Sequence, residues 1–209
     1  MSNFRIKTMV LGMVSTNCYL VYNDDTKEGV VVDPADNGAY ILNKCSEQGV
    51  TPVAVLLTHG HFDHIGGVDA LVEHYHCPLY MNAWDKDMLK DAYLNASGAM
   101  GLPEIIVHTK PQFLDAGKHT IGVFEFQFIY APGHSSGCSM ILWDENLFSG
   151  DVLFAGSIGR TDLPDGDMGK MRNSLRIFKD LDPSIKIYPG HGPVTDLRCE
   201  LQQNPYLNM

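Results

Sequence analysis

Two packed β-sheets with helices on their outer faces are the architecture this sequence predicts. Three observations carry the prediction. The first third is a series of short β-rich runs at hairpin spacing, which reads as an antiparallel meander. A fully apolar strand, Pro52 to Thr58, then stands between two helical patterns. A second β-rich half follows and closes with one more helix and one more strand. Elements in that order bury their apolar faces by stacking as layers.

In the first half, Arg5 to Leu11, Cys18 to Tyr22 and Gly29 to Asp33 are the strands, broken at Ser15-Thr16-Asn17 and Asn23-Asp24-Asp25. Asp33-Pro34 ends the third, because proline cannot extend a ladder. Asp36 to Gly49 is a helix with Ile41, Leu42 and Cys45 on one face and Gly49 as its C-cap. After the apolar strand comes a helix from His64 to Tyr75, then a short strand, Pro78 to Met81, and a helix from Trp84 to Leu94 with Met88 and Leu89 inward. Asn95 to Pro103 is small and flexible in composition and reads as a surface loop bordering a cleft. In the second half the strands are Ile105 to His108, Gln112 to Leu114, Thr120 to Tyr130, Cys138 to Trp143, Leu147 to Ser149 and Ile185 to Tyr188, with a helix from Lys170 to Leu181.

The 209 residues fit one domain, taken as residues 1–209, and a hydrophobic content of 44% builds a core without staples. Lys plus Arg number 15 against 25 acidic residues, a net charge of −10 that argues against nucleic acid as a partner. Five cysteines, Cys18, Cys45, Cys77, Cys138 and Cys199, are an odd number without CxxC spacing, as expected of reduced thiols in a cytoplasmic protein. Met9 to Val14 is too short and too broken for a signal peptide, and no stretch approaches a membrane span. The expectation is a soluble, cytoplasmic chain with no membrane partner; the oligomeric state stays open.

The chemistry sits in His59-Gly60-His61-Phe62-Asp63-His64. Imidazole and carboxylate are ligands for borderline divalent metals. A strand feeding a tight turn lets His59 and His61 point at one ion, with Asp63 and His64 pointing at a second. An N-cap role accounts for Asp63 but leaves three histidines without a reason. Three further strand ends carry the same residue types beside glycine: His134 in Gly133-His134-Ser135-Ser136-Gly137, Asp151 in Ser149-Gly150-Asp151, and His191 in Gly190-His191-Gly192. The small neighbours let the backbone turn sharply, so that seven candidate ligands can converge at one rim of the sandwich.

The set His-x-His-x-Asp-His, Gly-His-Ser-x-Gly, Gly-Asp and Gly-His-Gly, in this order, resembles the metallo-β-lactamase superfamily over about Met9 to Pro193. The resemblance implies an α+β fold, an αββα sandwich of two mixed sheets flanked by helices with a metal centre at the sheet edge. It implies His59, His61 and His134 on one metal, Asp63, His64 and His191 on the other, and Asp151 as the bridge. Zinc is the first expectation for the two divalent ions, with iron or manganese as alternatives. The two ions, offset by Asp63, Asp151 and a bridging hydroxide, leave a net charge of about +1, which suits an anionic substrate or a developing oxyanion. Such a hydroxide is a nucleophile at neutral pH, Asp63 is the residue to orient it, and the implied chemistry is hydrolysis of an activated acyl group.

Asp151 sets the chain apart from the best-known dizinc lactamases, which carry Cys there and are exported. Gly156-Ser157-Ile158-Gly159-Arg160-Thr161-Asp162-Leu163-Pro164 and Thr16-Asn17-Cys18-Tyr19 resemble the glyoxalase II-like hydrolases, including single-domain bacterial forms. Two-domain members hold glutathione with a basic residue after the Gly-Asp motif, where Arg160 falls here, and with a helical C-terminal domain. Only 18 residues follow His191, so that domain is not expected. A small anionic thioester of the S-lactoylglutathione kind is the implied substrate, with Arg160 either binding it or paired structurally with Asp162. Persulfide dioxygenases of the same superfamily are the alternative, with one iron on His59, His134 and Asp151. The remaining histidines, His74, His76, His108 and His119, read as surface or capping residues.

Overall fold

The leading strands form the expected meander. In the computed structural model, which describes residues 3–98, 101 and 103–208, β1 (Phe4–Leu11), β2 (Thr16–Asn23) and β3 (Glu28–Val32) pair antiparallel in sequence order. Helix α1 (Gly38–Gln48) returns the chain, capped by Gly49 in the left-handed region at φ 65°. It delivers β4 (Thr51–Leu56), which lies parallel to β3. The parallel additions β5 (Leu79–Met81) and β6 (Gln112–Phe113) complete a six-stranded mixed sheet.

The second sheet is also six-stranded and mixed, in the order β12-β11-β10-β9-β8-β7. Its strands are β7 (Gly117–Ile121), β8 (Phe124–Tyr130), β9 (Ser139–Trp143), β10 (Asn146–Gly150), β11 (Lys186–Pro189) and β12 (Thr195–Asp196), with only β10 and β11 parallel. Period-two alternation divides each sheet's side chains between two cores. Tyr19, Val21, Val30, Val32 and Leu56 meet Phe124, Phe126, Phe128, Ile141 and Phe148 between the sheets. Cys18, Leu20, Val31 and Val55 face outward onto Ile41 and Cys45 of α1 and Val68 and Leu71 of α3 (Val68–Tyr75). Met140, Leu147 and Ile187 face outward onto Met171 and Leu175 of α4 (Met168–Leu175) and Leu197 of α5 (Leu197–Gln203). The result is the αββα sandwich. No helix among the described residues is long and apolar enough to cross a membrane.

Several elements differ from the sequence reading, each for a local reason. Thr120 to Tyr130 is not one strand: Gly122, at φ 57°, turns the chain between β7 and β8. Ile105 to His108 is no strand; the Val107 amide donates to Leu89, and those of His108 and Thr109 donate to the Asp69 carboxylate. The helix expected from His64 to Tyr75 is two, α2 (Phe62–Ile65) and α3, because the Gly66 and Gly67 amides donate to Ala35 and Pro34 across the sheet end. Trp84 to Leu94 is a 3₁₀ turn, Ala83–Leu89, followed by irregular backbone, and Lys170 to Leu181 starts earlier as α4 and tightens to 3₁₀ over Arg176–Asp180. β12 and α5 have no counterpart in the sequence reading.

The surface loop expected at Asn95 to Pro103 includes Ala99, Met100 and Leu102, which lie outside the described residues. Its first residues are not at the surface. Asn95, Ala96 and Ser97 are buried, and the Asn95 amide donates to the carbonyls of Met88 and Ile105. Four cysteines are buried and Cys199 is exposed, all with free thiols.

Candidate metal centre

The C-terminal ends of β4, β8, β10 and β11 open on the same rim, and each ends in one of the expected donors. His59, His61, Asp63 and His64 follow β4; His134 follows β8, Asp151 follows β10 and His191 follows β11. Their donor atoms fall into three groups, each within 4.8 Å: His59, His61 and His134; His59, His64 and Asp151; Asp63, His64 and His191. Asp151 stands between the others, with Oδ1 3.4 Å from His64 Nε2 and Oδ2 3.4 Å from His134 Nε2 and 3.5 Å from His191 Nε2. All seven side chains named from the sequence are thus brought together, and most are fully buried.

Five of them are fixed from behind. The Asp33 carboxylate, 2% exposed, receives the Thr58 amide and hydroxyl and lies 2.9 Å from His64 Nδ1. This bond turns His64 Nε2 toward the cluster. The Arg160 carbonyl accepts from His134 Nδ1 at 2.7 Å, with the same effect on that ring. Thr58 Oγ1 sits 3.1 Å from His59 Nδ1, and the Thr16 hydroxyl donates to Asp63 at 2.6 Å. The His191 turn is clamped to the start of β2, where the Asn17 side-chain amide donates to the carbonyls of Pro189 and Gly192, and the Tyr19 hydroxyl donates to Pro189. The Thr16-Asn17-Cys18-Tyr19 motif therefore has a physical role at the site. The sequence reading quoted Thr16 and Asn17 only as part of a motif and gave no site contact to Asp33 or Thr58; the structure sets all four against the donors or their turns. Asp33-Pro34 at a strand end was the available signal for one of them.

The charges are arranged to receive cations. Burial, with His64, His134 and His61 close by, holds His59 well below the usual imidazole range. Burial and His134 bring His61 down to about 3. Burial alone would raise both carboxyls. His64, with His191 and Thr16, instead carries Asp63 down to about 2, and His64 and His134 hold Asp151 well below its usual value. Burial opposes the charging of His64 and His191, yet the carboxylates around them raise His64 well above the ordinary value and His191 to about 9. Two ionised carboxylates, the neutral imidazoles of His59 and His61, and the imidazoles of His64 and His191, whose protons a cation would displace, form the donor set of a divalent ion. The fit is sharpened by four buried atoms without a hydrogen-bond partner: His59 Nε2, His61 Nε2, His64 Nε2 and Asp151 Oδ1. Buried polar atoms are seldom left unpaired.

A cavity of about 350 Å³ opens over the cluster, lined by His61, Asp63, His134, Asp151 and His191 below and by Val14, Phe62, Ala96, Phe154, Ile158 and Leu163 around them. Arg160 also reaches it, but its guanidinium is held by Asp162 through Nε–Oδ1 at 2.6 Å and Nη2–Oδ2 at 2.9 Å. Lys170 and Arg172 do not line this cavity; Arg172 faces a separate groove with Arg176 and Lys179. His74, His76 and His108 are exposed, and His119 bonds the Asp115 carbonyl.

A four-layer sandwich with a His/Asp donor cluster at the mouth of a cavity defines a metal-dependent hydrolase. Comparison with known proteins agrees: the model of the metallo-beta-lactamase superfamily matches residues 11–191. The chain belongs to that superfamily. It is 38% identical to the probable metallo-hydrolase YqgX of Bacillus subtilis, over 97% of both chains. It is 31% identical to the hydroxyacylglutathione hydrolase GloC of Haemophilus influenzae, over 92% of both. Among solved structures, the BLEG-1 B3 metallo-beta-lactamase superposes with a TM-score of 0.93 at 37% identity, covering 98% of this chain and all of that one. TTHA1623 in a di-iron-bound form superposes with a TM-score of 0.84 at 37% identity, covering 96% of this chain and all of that one.

Proposed function

We propose that this protein hydrolyses acyl thioesters in the manner of glyoxalase II, with small anionic thioesters of the S-lactoylglutathione kind as substrates. The observation that carries the reading is the set of unpartnered buried donors, His59 Nε2, His61 Nε2, His64 Nε2 and Asp151 Oδ1, in a cluster whose His61 and Asp151 line a cavity. His59, His61 and His134 would hold one divalent ion and Asp63, His64 and His191 the other, with Asp151 standing between the two groups. Two ions supply a Lewis acid for the thioester carbonyl and a water acidic enough to attack near neutral pH.

The chain's own residues do the rest. Asp63 is fixed by Thr16 and His191, so its carboxylate is held ready to orient the attacking water. Asp33 and the Arg160 carbonyl fix the tautomers of His64 and His134. The apolar wall of Val14, Phe62, Ala96, Phe154, Ile158 and Leu163 excludes bulk water and packs the methylene groups of acyl and thiol. Arg160 stands at the rim, where an anionic thiol moiety competes with Asp162 for its guanidinium. The name of the Haemophilus relative, hydroxyacylglutathione hydrolase, supports the substrate class. The di-iron form of TTHA1623 supports two ions and leaves zinc or iron to be measured.

The test is metal content of protein purified without added metal, paired with turnover of S-lactoylglutathione and of a β-lactam as control. Two ions per chain with thiol release and no lactam opening is the expected result. Lactam turnover exceeding thioester turnover would overturn the substrate class. One iron per chain with oxygen uptake on glutathione persulfide would move the protein to the dioxygenases.

A further inference from the structure

Asp85 lies outside the donor cluster, is 1% exposed, and has no cationic partner among the described residues. It sits in the 3₁₀ turn Ala83–Leu89. Its carboxylate accepts three hydrogen bonds, and all come from the two loops that carry His59, His61 and His134. Oδ2 receives the Gly60 amide at 3.1 Å and the Ser135 hydroxyl at 2.6 Å; Oδ1 receives the Gly137 amide. Gly60 lies between His59 and His61, and Ser135 and Gly137 follow His134. The approach is close enough to exclude side chains on both loops. A Cβ on Gly137 would lie 2.5 Å from Asp85 Cγ, and one on Gly60 would lie 2.7 Å from Met88 Cβ in the same turn.

A buried carboxylate is an expensive way to satisfy three donors, and burial pushes this one up to about 6. What a single side chain achieves here is a fixed distance between two loops 73 residues apart, whose histidines meet at His61 Nδ1 and His134 Nε2, 2.8 Å from each other. The opposite group is held by other means: Asp33 on His64, Thr16 on Asp63, and Asn17 on the His191 turn.

We propose that Asp85 is a positioning residue for one metal position only, setting the spacing of His59, His61 and His134 and leaving that of Asp63, His64 and His191 untouched. The inference rests on the two-ion reading above. Asparagine at position 85 keeps the volume but aims an N–H₂ group at a backbone amide, so one loop is released.

The experiment strips the full chain with a chelator and titrates it with Zn²⁺ against a chromophoric competitor. Wild type takes up two ions. Asp85→Asn weakens one by roughly 10- to 100-fold, as loss of a supporting hydrogen bond does, and leaves the other within about twofold, as for uncoupled sites. Ser135→Ala, which deletes one donor without charging anything, gives a smaller loss at the same position. Asp85→Asn has its full effect in a His191→Ala background and none in His61→Ala. Equal weakening of both ions, together with a lowered melting temperature of the metal-free chain, would make Asp85 a general stabiliser and overturn the proposal, as would no change at either. A wild type that binds one ion overturns the two-ion reading alone; the inference then stands if Asp85→Asn weakens that ion and falls if it does not.

Discussion

Asp33 and His64 meet at 2.9 Å, a carboxylate on an imidazole, both buried and 31 residues apart in sequence. Asp33 holds φ at 49°, a strained conformation for a residue with a side chain, and spends its other contacts on Thr58. One aspartate thereby orients His64 directly and, through the Thr58 hydroxyl, steadies His59. Asp33→Asn is expected to cut thioester turnover and the affinity of the His64-bearing ion by roughly 10- to 100-fold. Paired activity and metal-content measurements on the same preparation check it; a variant with wild-type values for both would remove Asp33 from the site.

Asp151→Ala tests the cluster itself. Asp151 lies against His64, His134 and His191, so its loss removes a donor from between the two groups. Turnover should fall to the detection limit and metal uptake to one ion or fewer. The circular dichroism spectrum should stay native, because the cores between and outside the sheets do not involve this residue.

Arg160→Ala separates two roles that one residue carries. The backbone carbonyl that holds His134 survives the change. The guanidinium–Asp162 pair is exposed on both sides, at 57% and 69%, and exposed pairs contribute at most about 1 kcal/mol. Expected are a kcat within about twofold of wild type and a KM raised several-fold for an anionic thioester but not for a neutral one. An equal KM for the two substrates would leave Arg160 with its structural roles only.

The Asp85 carboxyl gives a stability signature with a definite sign. Its folded-state value, about 6, lies above the unfolded value near 3.8. The folded state therefore favours the protonated form, and that advantage is full below about pH 3.8 and lost as pH rises through about 6. Relative to Asp85→Asn, wild type should gain roughly 2 kcal/mol of unfolding free energy between pH 7 and pH 4. Urea melts of both chelator-treated proteins across that window measure it. A flat difference would contradict the shift.

Glu200 braces the cavity from α5. It accepts from the Gly156 amide, the Asn204 side chain and the Thr195 hydroxyl, and Asn204 in turn donates to the carbonyls of Phe154 and Ser157 at the cavity rim. Glu200→Ala strands these donors, at about 1–3 kcal/mol of stability. KM should rise more than kcat falls, as the rim and not the donor cluster loosens. A thermal melt and steady-state kinetics on one sample decide it.

The donor cluster was legible because each ligand-bearing turn follows a strand and contains a glycine, a pattern that needs no tertiary knowledge. The layers were legible from the same alternation that divides Tyr19 and Val21 from Cys18 and Leu20. Asp85 was not. In Trp84-Asp85-Lys86-Asp87 it looks like any acid on a polar turn, and only the arrival of two distant loops buries it. α5 escaped because seven residues, two of them buried, carry too little periodicity. The break at Gly122 was a miss the sequence advertised, since glycine inside a strand pattern marks a turn or bulge.

The four rim-forming strand ends lie far apart along the chain, and this orders events in time. The donor group of Asp63, His64 and His191 spans residues 63 to 191 and the His59, His61 and His134 group spans 59 to 134. A nascent chain on the ribosome has no complete group until His134 has emerged, gains the His59, His64 and Asp151 group with Asp151, and completes the last only with His191. An ion on His59, His61 and His134 would find its donors complete before β11 is made, and one on Asp63, His64 and His191 only after β11 has docked.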